Sequence, residues 1–170
     1  MTAYFKNIAS MKACTIAGKD SASVSSVQYL KFNSSQIPDD IKITSSNDYQ
    51  FTLSHSANAS FILIAGTSIK QGGSDTTVIF QWYDETNSQY IGKKGSLMSL
   101  TSSSVENQEN KNPAYRTACS ALILASDFGG SDIVVSCRVV SSTGSTDYNF
   151  EPTGFEDHSG FPCLQVYQSR

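Results

Sequence analysis

The densest set of chemically capable side chains is "VIFQWYDETNSQYIGKKG", residues 78–95, which holds the single tryptophan, Tyr83, Tyr90, Asp84, Glu85, Lys93 and Lys94. Two neighbouring carboxylates invite a general-acid reading. A general acid, however, needs a carboxyl group buried enough to keep its proton near neutral pH. Asp84 and Glu85 sit in the turn-forming "DETNS" and read as solvated turn residues. The chain has two histidines, His55 before "SANAS" and His158 in "FEDHSG". With 29 serines available, the presence of Ser, His and Asp says nothing by itself about a nucleophilic triad. No GxSxG, HExxH or phosphate-cradling glycine loop occurs, and "DFGGSD", 127–132, is a turn between two strands. Asp127, Asp132, Glu156 and Asp157 match no calcium-loop spacing. Cys14, Cys119, Cys137 and Cys163 form no CxxC pair, so neither zinc nor a thioredoxin-type motif is expected. Cys119 and Cys137 each lie in an apolar strand-like run and read as reduced core thiols rather than disulfides. The sequence assigns no catalytic residue, no metal and no cofactor, and a non-enzymatic protein is expected.

Composition narrows the partners. Of the 170 residues 39% are hydrophobic but only 16% charged, against roughly 25% charged in an average soluble chain. With 13 threonines added to the serines, the polar surface is mostly hydroxyl and amide. A net charge of −3 with no basic run gives no footprint for nucleic acid. The longest apolar block is "FILIAG", 61–66, far short of the roughly 18 residues that cross a bilayer. The opening "MTAYFKNIASMKACTIAGKD" is interrupted by Lys6 and Lys12 and does not read as a signal peptide. The "NSS" at 33–35 and "NAS" at 58–60 then match the glycosylation pattern by chance.

The elements that must position these residues are strands. The helical period of about 3.6 is nowhere sustained, whereas alternation with a period of two recurs throughout. Ile41 and Ile43, then Tyr49, Phe51 and Leu53, are expected to point one way, with "SSND" as the turn. Val78, Phe80 and Trp82 share a face opposite Ile79, Gln81 and Tyr83, which makes Trp82 a core anchor rather than a sugar platform. Residues 76–83 and the strand starting at "QYIG" form a hairpin that brings Tyr83 and Tyr90 together, with Lys93 and Lys94 on solvent. In "SDIVVSCRVVSS", Ile133, Val135, Cys137 and Val139 point inward and Ser136 and Arg138 outward. Val134 and Val140 lie opposite that inward set, and Leu164 and Val166 lie opposite Phe161 and Cys163. Apolar residues on both faces imply a second covered face. "TSSSVENQENKNP", 101–113, has little to bury and reads as an exposed loop. Short strands with regular turns predict one all-β domain, an antiparallel sandwich or barrel with little helix.

The order "DYQFTLSHSANASFILIAG", "FQWYDETNSQYIGKKG", "YRTACSALILASDFGGSDIVVSCRVVSS" and "SGFPCLQVYQ" resembles the tumour necrosis factor/complement-head jelly roll. The "WYDETNSQYIG" hairpin followed by the strands around "SDIVVSCRV" further resembles the trimeric knob domains of bacteriophage head fibres and tail tips. The resemblance covers residues 25–168 in pattern. It implies a jelly-roll β-sandwich over 21–170, with residues 1–20 either a first strand or an arm anchoring the knob to a virion. It also implies a homotrimer in which Tyr49, Phe51, Phe161, Leu164 and Val166 serve core or trimer packing, and the apolar second face adds Val134 and Val140 as packing candidates. The partners would be capsid or tail proteins of a virion assembled in the host cytoplasm, and a host surface glycan or receptor. The other reading of the residues is a lectin-like module in which exposed Tyr83, Tyr90 and Tyr115 stack on sugar. A glycan hydrolase would need two positioned carboxylates, and the sequence offers no such pair.

Overall fold

The structure, a computed structural model, describes residues 4–10, 14–16, 27–30, 32, 42–45, 47–65, 76–99, 114–143, 148–150 and 163–168. These hold twelve strands: β1 (Tyr4–Ser10), β2 (Cys14–Ile16), β3 (Ile43–Ser45), β4 (Gln50–Leu53), β5 (Phe61–Ala65), β6 (Thr76–Asp84), β7 (Gln89–Ser99), β8 (Ala114–Thr117), β9 (Cys119–Ile123), β10 (Ile133–Thr143), β11 (Tyr148–Phe150) and β12 (Cys163–Gln168). The described helical structure is two single 3-10 turns, His55–Ala57 and Ala125–Phe128. The protein is all-β.

Every pairing is antiparallel, and the pairings are nested. β1 pairs with β12, β4 with β10, β5 with β9, and β6 with β7. A chain folded back on itself this way and then rolled gives a jelly roll, in which successive nested pairs alternate between two layers. One layer runs β1-β12-β5-β9 and the other β3-β4-β10-β6-β7, with β8 added to β7 and a separate ribbon of β2 and β11. Within residues 1–20, then, 4–10 form an edge strand of one layer and 14–16 half of the small ribbon.

The inner faces meet in a single core. β5 alternates cleanly, with Phe61, Leu63 and Ala65 buried, and β9 does the same with Cys119, Ala121 and Ile123. Opposite them lie Phe51, Leu53, Val78, Phe80, Trp82, Ile133, Val135 and Cys137. This is the period-two pattern that one-sided burial imposes on a pleated strand. The 3-10 turn after β9 inserts Phe128 against Phe61, ring centroids 5.9 Å apart, so "DFGGSD" also plugs one end of the core.

The two layers join along β7. The register of β6 on β7 shifts between Phe80 and Trp82, whose partners are Gly95 and Ile91, so residues 92–94 of β7 bulge away from β6. Lys93 there pairs with Ser120 of β9. A bulge bends and twists its strand, which here carries β7 from one layer to the other.

One expectation fails for a stated reason. Tyr49 does not continue the inward row of Phe51 and Leu53. Asn47 Oδ1 accepts the amides of Tyr49 and Gln50 at 2.9 and 2.7 Å, an Asx-type turn that ends the alternation before β4 begins. Ser136 points outward from β10 as expected, and it is fully buried there. Leu164 and Val166 share backbone rows with Ala65 and Leu63, and Phe161, His158 and residues 101–113 lie outside the described residues.

Candidate functional site

The described surface gathers polar and aromatic groups on the outer face of β10, β6 and β7. Ser136 pairs with Tyr83 and Arg138 with Gln81 across β10 and β6, so all four belong to one face. The hairpin turn brings Glu85 onto the same face. Its geometry is local: Asp84 Oδ1 accepts the Asn87 amide at 3.0 Å and Oδ2 accepts the Asn87 side chain at 2.8 Å. Two further bonds latch the turn to β10, Glu85 N–H to the Val134 carbonyl (2.8 Å) and Val134 N–H to Thr86 Oγ1 (2.9 Å).

Glu85 thereby meets a fork of donors. Arg138 Nε reaches Oε1 at 3.2 Å and its terminal nitrogen reaches Oε2, while the Ser136 hydroxyl donates to Oε1 at 2.5 Å. The guanidinium lies over the Tyr83 ring, 3.4 Å from its centroid, and faces Tyr29 at 5.6 Å. Tyr29 stacks on Tyr49 at 4.3 Å, and Tyr83 meets Tyr90 edge-on at 5.0 Å. The result is one continuous row: Tyr49, Tyr29, Arg138, Tyr83, Tyr90. Burial would lower the Arg138 pKa, but the Glu85 carboxylate outweighs it and the value is raised; burial pushes the Tyr29 phenol up as well.

The reading of Asp84 and Glu85 as solvated turn residues is therefore corrected. Asp84 is 5% exposed, and the Glu85 side chain only 16%. Their burial serves bonding inside the hairpin and the clamp, which leaves their oxygens engaged. Tyr83 is likewise covered by Arg138 and half-buried, whereas Tyr90 is 48% exposed. Tyr115 lies on β8, paired with Met98 of β7, and its side chain is outside the described residues. Lys93 and Lys94 are exposed, as the hairpin reading expects. Tyr29 escaped the sequence reading because residues 27–30 form only a single bridge, Tyr29 to Arg138, beside β10.

The Arg138 and Glu85 clamp gives a direct test. Both side chains are mostly covered, at 14% and 16% exposure, so Arg138→Ala is expected to cost about 2 kcal/mol, above the range of open surface pairs. A double-mutant cycle with Glu85→Ala should return a coupling of about 1 kcal/mol or more in urea melts. Coupling near zero would mean that the pair does not fix the hairpin.

Ser54, His55 and Asp132 also meet, at the end of the sandwich beside β4. Asp132 Oδ1 accepts the His55 amide at 2.9 Å, His55 Nδ1 at 3.0 Å and the Ser54 hydroxyl at 3.4 Å, and Ser54 Oγ lies 2.8 Å from Ser56 Oγ. A nucleophile would have to sit at Nε2, whereas Ser54 engages the carboxylate. The His55 and Asp132 side chains are about half exposed, at 48% and 46%. The cluster caps the turn. The His55 amide and then its ring hold the Asp132 carboxyl below its ordinary range. Its small stabilising effect is present above the unfolded carboxylate range and is lost as pH falls through the folded value.

Among the described residues no group of three or more His, Cys, Asp or Glu side chains is placed to hold a metal ion, and no helix is long and apolar enough to cross a membrane. The surface that remains is a half-exposed tyrosine beside exposed Thr86, Asn87, Ser88 and Gln89. Its chemistry is aromatic face plus hydroxyl and amide, suited to a neutral polar ligand or a protein surface. Compared with protein-family models, curated proteins and solved structures, the chain matches none.

Proposed function

We propose that the protein is a non-enzymatic structural component of a phage particle: a trimeric knob of the head-fibre, capsid-decoration or tail-tip kind that contacts the host surface. The observation that carries this reading is a nested jelly roll with an apolar row on the outside of one layer. Ile62 of β5 and Leu122 of β9 are cross-strand partners on the outer face, and Leu122 is 57% exposed, with Leu124 beyond it at 45%. In backbone register the row continues to Tyr167 of β12 and Phe5 of β1. Exposed apolar rows of this kind are covered by association, and closed symmetry covers them equally in every subunit. Half-buried Val134 and Val140 on β10 contribute less to this argument than the β5 and β9 row. The hydroxyl-rich, weakly charged composition and the family resemblance support the virion setting.

The test is peptide mass spectrometry and antibody labelling on density-gradient-purified phage particles of the source strain. The chain is expected at fixed stoichiometry on the particle; its absence from purified particles would overturn the reading.

A lectin-like module is the second reading, favoured by Tyr90 at the tip of the hairpin. It expects saturable binding to a glycan array that Tyr90→Ala weakens at least tenfold, with an unchanged melting temperature. Binding that ignores Tyr90 would remove it.

A further inference from the structure

We propose that Cys119 and Cys137 form a redox modification site, a dithiol that a small disulfide such as oxidised glutathione converts into a covalent bridge between the two layers of the sandwich. Cys119 faces inward from β9 in one layer and Cys137 faces inward from β10 in the other. Both are fully buried, and their sulfur atoms are 3.5 Å apart. Bond formation at about 2.05 Å needs the sulfurs to close by about 1.5 Å. Nothing separates them: each is the other's hydrogen-bonding partner in the core.

The chemistry balances by thiol–disulfide exchange. One cysteine thiolate attacks a sulfur of the small disulfide, releasing one small thiol and leaving a mixed disulfide on the protein. The second cysteine attacks the protein-side sulfur of that mixed disulfide and releases the second small thiol. Overall the two cysteines lose two protons and two electrons, which reduce the small disulfide to two thiols. Burial, and after it the contact with Cys119, pushes the Cys137 thiol well up. The attacking thiolate is therefore scarce in the folded protein. Exchange proceeds while the chain folds or opens, and once made the bridge is shielded from reductant by the same burial.

The bridge would link residues 18 positions apart in sequence, around the Phe128 plug and its turn. It would tie the layers together through Cys119, next in sequence to Ser120, whose pairing with Lys93 joins them along β7. The proposal does not depend on the virion reading.

The experiment is refolding of the full chain in parallel, in dithiothreitol or in a glutathione redox buffer, followed by denaturation, alkylation without reduction, and trypsin digestion. Arg116 and Arg138 are consecutive tryptic sites, so both cysteines fall in one peptide, 117–138. From the glutathione sample that peptide is expected two hydrogens lighter than the dithiol and free of alkyl groups; from the dithiothreitol sample it should carry two. The oxidised protein should melt roughly 5–10 °C higher, and Cys137→Ala should melt at one temperature in both buffers. Because the mass readout uses the unmutated chain, a variant that fails to fold leaves the test intact. A doubly alkylated peptide from the glutathione sample would overturn the proposal. So would a bridge that forms but lowers the melting temperature, since the folded core would then not accommodate it.

Discussion

Replacing Gly92 with alanine is expected to destabilise the protein by about 3 kcal/mol or more, enough to remove much of a typical domain's stability. Gly92 sits in the β7 bulge with φ +68°, a conformation L side chains rarely adopt, and a Cβ there would lie 2.0 Å from the Ser120 carbonyl oxygen and 2.6 Å from Ala121 Cα. Both obstacles are backbone of β9, so no rotamer change relieves them. The Gly92 carbonyl also accepts a 2.9 Å bond from Gln81 Nε2, which fixes the bulge against β6. Gly129 is the control, with φ +57° and open space around its would-be Cβ. Gly129→Ala should cost about 1 kcal/mol from the backbone alone. Urea melts of the two variants separate conformation from contact; equal losses would mean that β7 does not lie against β9 at Gly92.

Trp82→Ala is the second large effect, at about 3–5 kcal/mol. Trp82 is fully buried among Phe80, Val78 and Cys137 at the centre of the β6, β7 and β10 layer. Its indole N–H has no hydrogen-bonding partner, and an unsatisfied buried donor costs about 1–3 kcal/mol. Trp82→Phe removes that donor while leaving a smaller cavity, so the two effects oppose and the loss should stay near 1 kcal/mol. As the only tryptophan, Trp82 reports on itself: native emission should be blue-shifted and protected from acrylamide. A Trp82→Phe variant as unstable as Trp82→Ala would show that the indole nitrogen does find a partner.

How far the sequence could be read depended on whether a residue's surroundings were local. β6 and β10 were legible because one-sided burial forces alternation, which puts Val78 and Phe80, and Ile133, Val135 and Cys137, in the core, and Trp82 followed from Val78 and Phe80 on the same face. The pairing of Tyr83 with Tyr90 followed from the turn between them. Tyr49 misled because an Asx turn centred on Asn47 interrupts the alternation just before the strand. The Glu85 and Arg138 clamp was invisible because it joins residues 53 positions apart through a register that no local pattern states. Ser136 points outward as expected and is buried by that same clamp. The bulge at residues 92–94 was hidden for a similar reason, since "GKKG" reads as a turn until β9 is placed beside it.

The claim that organises the proposed function is that three copies of this chain close around the apolar row of the β1-β12-β5-β9 layer. Multi-angle light scattering on the purified full chain, across a hundredfold dilution, measures it directly. A trimer gives three times the 18.4 kDa chain mass, constant on dilution, and Leu122→Glu should convert it to monomer without loss of the β-sheet circular dichroism signal. A stable species of one chain mass at every concentration, with Leu122 open to solvent, would contradict it.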